Sequence, residues 1–127
     1  LDDNYGIAVS YTNLANVISD SGNITEGIEY FLKSIEIEKE LNDEAGIAIN
    51  YNNIGDNYLK QGDYEIADNY FTKSLKIAKE LADEQLKAII YLNYSELNNK
   101  INIQSQSVPK YCTCIPISSS PSTYSPT

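Results

Sequence analysis

Chemistry in this chain of 127 residues would have to come from histidines, cysteines, paired carboxylates or glycine loops. Histidine is absent, which takes away the commonest general base and a leading metal ligand. The two cysteines, Cys112 and Cys114, flank Thr113. They supply two ligands where a structural zinc site needs four, and they lie too close together to staple a fold. Glu36, Glu38, Glu40, Asp43 and Glu44 form a charge run, which reads as a solvated face rather than a paired-carboxylate site. Gly22 and Gly62 stand alone, so no phosphate-cradling loop is present. No nucleophile stands beside a base. The expectation is a protein with no catalytic residues, no metal and no cofactor.

Charge narrows the partners. Eighteen acidic residues against nine lysines give a net charge of −9, and there is no arginine. Nucleic acids and anionic membrane surfaces call for the opposite sign, so neither is an expected partner. The sequence contains no long apolar run and opens on Leu1-Asp2-Asp3, with neither the basic nor the apolar part of a signal peptide. That reads as a cytoplasmic protein. The missing initiator methionine reads as a piece of something longer.

The elements that must position any site emerge from a 40-residue internal repeat. Residues 3–42 and 43–82 agree at 15 of 40 positions, and a partial third copy occupies 83–100. Gly6-Ile7-Ala8 returns as Gly46-Ile47-Ala48, Tyr30-Phe31 as Tyr70-Phe71, and Lys33-Ser34 as Lys73-Ser74. Apolar spacing within each copy is helical: Ile7, Tyr11, Leu14 and Ile18 in the first, Ile47, Tyr51, Ile54 and Tyr58 in the second. A second helix follows Gly22-Asn23 and Gly62-Asp63, where glycine ends one helix and Asn or Asp caps the next. Its apolar positions are Ile24, Ile28, Phe31 and Ile35, then Ala67, Phe71, Leu75 and Ala78. Asp3, Asp43 and Asp83 sit where each first helix should begin, as N-caps. The prediction is an all-α protein of about five helices, stacked as antiparallel hairpins over residues 1–100. The four prolines and a serine cluster in 101–127 mark a tail that cannot bury a core and is expected to be disordered.

The second copy resembles the tetratricopeptide repeat, with Tyr51 for the large aromatic, Ile54-Gly55 for Leu-Gly, and Tyr58 for Tyr. Ala67, Phe71 and Ser74 fill the second-helix positions, while Lys79 stands where the family has proline. The first copy is looser, with Ala15, Ile18 and Gly27 as swaps; the third offers Tyr91 and Tyr94-Ser95. The 40-residue period is similar to the longer-helix variant found in kinesin light chains, spindle-orientation adaptors, and bacterial peptide receptors and sensor proteins. That resemblance implies a right-handed superhelix with a concave groove lined by the first helices.

Carried onto this chain, the family's groove positions are Val9, Thr12, Asn13, Asn16, Ser19 and Asp20, then Ile49, Asn52, Asn53, Asp56, Leu59 and Lys60. The third helix adds Ile89, Leu92, Asn93, Glu96, Asn99 and Lys100. Asn13, Asn53 and Asn93 recur at one position, and a carboxamide can both donate to and accept from a peptide backbone. The resemblance implies that this ladder binds an extended peptide. The expected peptide-binding residues are Asn13, Asn53, Asn93, Asn16, Asp56, Glu96, Thr12, Asn52 and Lys60. Val9, Thr12, Ile49, Asn52, Ile89 and Leu92 stand where a basic carboxylate clamp would need lysines, so the expected ligand is neutral or basic.

The third helix carries Ala88, Ile89, Ile90, Tyr91, Leu92, Tyr94 and Leu97 around much of its surface. Lacking a partner helix, it should leave an apolar patch that favours self-association or docking of another repeat. The alternative to a peptide scaffold is therefore a sensory or oligomerising segment of a bacterial signalling protein. Its output domain, a kinase, cyclase or transcription regulator, would lie outside this sequence.

Overall fold

The computed structural model describes residues 3–107. Five helices follow in order: α1 (Asn4–Asp20), α2 (Ile24–Leu41), α3 (Glu44–Gln61), α4 (Tyr64–Glu80) and α5 (Glu84–Ser107), with no strand among the described residues. The chain divides into two units after Tyr94, the first holding α1 to α4 and the opening of α5, the second the rest of α5. The helix continues past Lys100, where the composition changes. The remaining tail, with Cys112 and Cys114, lies outside the described residues.

Each first helix is capped as its aspartate predicts. Asp3 and Asp43 accept from the Gly6 and Gly46 amides at 3.1 Å, and Asp83 accepts from the Leu86 amide at 3.1 Å. Each such bond satisfies an orphan donor and is worth about 1 kcal/mol. The second helices differ from expectation. Asn23 and Asp63 occupy the N-cap, yet neither side chain bonds the helix it precedes. Gly22 and Gly62, at φ +105° and +87°, make the left-handed turns inside each hairpin. The turns between hairpins use Asn42 (φ 58°) and Ala82 (φ 54°) instead.

Repetition shows directly in the packing. Ser34 donates to the Ala8 carbonyl at 2.8 Å and Ser74 to the Ala48 carbonyl at 2.6 Å, so a buried serine ties the two helices of each hairpin. Such a bond satisfies a carbonyl while allowing close approach of the backbones. Around these ties Ala15, Ile28, Phe31, Ile35, Ile47 and Ile54 form a buried cluster flanked by half-buried tyrosines. Phe71 is fully buried, and its ring lies where a Cβ on Gly55 would stand: the nearest ring carbon would be 2.6 Å away. That contact explains why Gly55 occupies the small position of the repeat.

The first copy departs from the predicted core. Ile7 and Leu14 are exposed, whereas their counterparts Ile47 and Ile54 are buried. The difference is one of neighbours: α3 has α2 on one side and α4 on the other, while among the described residues α1 packs chiefly on α2.

Candidate peptide-binding site

The asparagine column stands at the surface of the first helices, with Asn13 exposed and Asn53 and Asn93 half-buried. Asn93 donates through Nδ2 to Asn52 Oδ1 at 2.9 Å, linking neighbouring copies. Asn52 is buried, so it acts beneath the column rather than on it. Asn16 is exposed, and Asp56 and Lys60 pair with each other at 3.1 Å. Glu96 is exposed and belongs to the second unit. Beside the asparagines runs an apolar row, Val9, Ile49 and Ile89, each between 39% and 50% exposed. Leu59, expected in the groove, is buried instead.

Thr12 leads to a polar cluster that spacing alone did not reveal. Its hydroxyl meets Ser34 Oγ at 2.9 Å and Asn50 Oδ1 at 3.1 Å. Asn50 Nδ2 donates onward to Ser34 Oγ at 3.1 Å and to both carboxylate oxygens of Glu38 at 2.9 and 3.0 Å. Glu38 is only 5% exposed, so the solvated-face reading of the charge run fails at this residue. Its neighbours Glu36 and Glu40 do face solvent. Burial pushes the Glu38 carboxyl above the ordinary carboxylate range; Asp43 adds to the rise, and the Asn50 and Ser34 hydrogen bonds oppose it.

Above this cluster lies a cleft of about 130 Å³. Glu38, Asn50 and Thr12 form its floor, Asp43 and Gly46 one side, and the exposed Tyr5, Val9 and Ile49 its mouth. The only hint in the sequence was negative: Glu38 and Asn50 have Ala78 and Ile90 at the matching places one repeat later.

Another repeated unit involves tyrosine. Lys33 Nζ lies 4.8 Å from the Tyr30 ring centroid, and Lys73 Nζ lies 5.0 Å from that of Tyr70. Tyr11 and Tyr51 pack against the same rings, each at 5.8 Å. Contacts of this kind contribute about 0.5–1 kcal/mol at exposed sites. They account structurally for the recurrence of Lys33 and Lys73.

Against known proteins, the sequence model of the family described as Tetratricopeptide repeat matches residues 6–80. The chain is a tetratricopeptide repeat protein. Among solved structures it is similar to BtubC (BKLC) from P. vanneervenii, at 22% identity and a TM-score of 0.68. The match covers 79% of this chain and 41% of that one, so the chain spans less than half the length of that relative. At that identity the likeness establishes the fold. No curated protein matches the sequence. Tetratricopeptide repeats generally mediate protein–protein interaction, and the family is typically a non-enzymatic scaffold. Among the described residues no helix is long and apolar enough to cross a membrane.

Proposed function

We propose that this tetratricopeptide array holds an extended protein segment along its first helices, through the column of Asn13, Asn53 and Asn93. The observation that carries the reading is the column's partial exposure, full at Asn13 and half at Asn53 and Asn93, combined with its spare hydrogen-bonding capacity. Among the described residues Asn93 alone of the three makes a side-chain hydrogen bond, and it uses one of its N–H groups. A carboxamide has two donors and an acceptor, so most of the column's capacity remains for a peptide backbone. The row of Val9, Ile49 and Ile89 adds apolar contact alongside. The mechanism is recognition without turnover.

Charge favours a neutral or basic segment. Asp56 and Lys60 neutralise each other, which leaves the exposed Asp20 unpaired among the described residues of the first copy. An overall charge of −9 acts in the same direction. The test is a peptide array probed with the wild-type chain and with a variant carrying Asn13→Ala, Asn53→Ala and Asn93→Ala. The variant should lose most array binding while keeping its helical circular dichroism. Equal binding by both proteins, or binding by neither, would count against the column.

A second reading is favoured by the exposure of Ile89, Tyr91 and Leu92 on α5, at 50%, 50% and 70%. Such a face suits a second copy of this chain.

A further inference from the structure

The cleft between the first two copies is not something the fold requires. One repeat later Ala78, Leu86 and Ile90 stand at the places of Glu38, Gly46 and Asn50, and all three are buried. The molecule thus contains its own comparison, in which the matching places are filled by apolar side chains. A buried carboxylate costs stability unless it is paired, so keeping Glu38 where alanine serves calls for a reason.

We infer that this cleft seats one cationic side chain, a lysine or arginine, of the bound segment, with its charge on Glu38 and its stem between Tyr5, Val9 and Ile49. The inference rests on the peptide-binding reading above and adds to it a charged subsite. Among the described residues no lysine reaches ion-pair distance of Glu38 or Asp43, although both line the cleft. Among the described residues the Glu38 carboxylate accepts from the Asn50 amide, with the Ser34 hydroxyl beside it, and a carboxylate has about four acceptor positions, so part of its capacity is open.

Gly46 keeps that carboxylate accessible. A Cβ there would lie 2.6 Å from an oxygen of Glu38 and 2.6 Å from one of Asp43. The apolar mouth suits the methylene stem of a long basic residue, which buries its carbons while its charge finds a partner. Volume agrees as well. About 130 Å³ would hold roughly four waters at liquid density, the scale of one side chain rather than a nucleotide. Two carboxylates also fall short of the six to eight oxygens calcium takes. A cation on the floor would draw the Glu38 carboxyl back down toward its ordinary range, offsetting part of the burial cost.

The test is an NMR titration of the ¹⁵N-labelled full chain with N-acetyl-lysine methylamide, N-acetyl-arginine methylamide and the neutral N-acetyl-norleucine methylamide. The cationic probes should move the Asn50 side-chain and Gly46 backbone N–H signals saturably, with norleucine roughly tenfold weaker or more. Glu38→Gln should abolish the shifts. Gly46→Ala, whose methyl would crowd the Glu38 and Asp43 carboxylates, should block the site too, with helical circular dichroism checking that the fold is kept. Equal response to norleucine, shifts that survive both substitutions, or no saturable shift with either cation would overturn the inference. The triple asparagine variant separates the two proposals. Its titration should be unchanged if the cleft acts as stated, whatever its array binding. Lost probe shifts beside intact, column-dependent array binding would defeat the cleft alone.

Discussion

At the scale of the residue, Glu38 is the most informative position in the chain. Because burial raises its carboxyl pKa, the folded state holds that proton more tightly than the unfolded state does. The contribution of Glu38 to stability is therefore most favourable at low pH and is lost as pH rises through the raised pKa. Glu38→Gln, which leaves an oxygen to accept from Asn50, should raise the melting temperature at neutral pH. The gain should shrink as pH falls toward the ordinary carboxylate range of about 4 to 4.5. Thermal melts of both proteins across that range check it, and a gain independent of pH would contradict it. Spacing along the chain does not single out this residue, because the cluster around it is assembled from three helices: Thr12 from α1, Ser34 from its own α2 and Asn50 from α3. Along the chain Glu38 has only Glu36 and Glu40 for company, and both are solvated.

At the scale of the element, the sequence is a good guide to where helices begin and a poorer one to how they join. The aspartates at a 40-residue interval announced α1, α3 and α5, because an N-cap bond is local and depends on three neighbouring residues. The glycine turns were equally legible. The turn before α5 was not, since alanine gives no sign of a left-handed backbone, yet Ala82 has φ 54°. That conformation costs a residue with a Cβ roughly 1–2 kcal/mol, while glycine adopts it freely at some entropic expense. Ala82→Gly should accordingly stabilise the array by about 0.5–1 kcal/mol, seen as a higher urea midpoint at unchanged slope. Gly55→Ala should act oppositely. Its methyl would meet the buried Phe71 ring, and overpacking of that kind costs about 1–3 kcal/mol, more than the helix propensity gained.

At the scale of the molecule, the period of 40 carried the fold class, and the spacing of asparagines within it carried the candidate column. Which faces would be covered was harder to read. Ile7 and Leu14 obey the same pattern as Ile47 and Ile54 but are exposed, because a pattern records the packing stripe and not whether a neighbour is there to meet it. The same reasoning applies to Ile89, Tyr91 and Leu92 on α5. If a second copy covers that face, sedimentation velocity of the full chain should show a sedimentation coefficient that rises with protein concentration. Leu92→Asp should return it to a single concentration-independent species. A wild-type chain that stays monomeric throughout would leave the face without that role.

The unlike junctions also fix an order. Glu38 comes from one hairpin and Gly46 and Asn50 from the next, just as Ala78 comes from one copy and Leu86 and Ile90 from another. The second hairpin therefore carries half of two different matches. Joining residues 43–82 head to tail would set Ala78 against Gly46 and Asn50, leaving a hole and an amide without its carboxylate acceptor. Exchanging the copies would press Leu86 toward Glu38. The hairpins look like interchangeable modules in outline, but their seams read in one direction only, so this array cannot be shuffled or lengthened without rewriting the residues where copies meet.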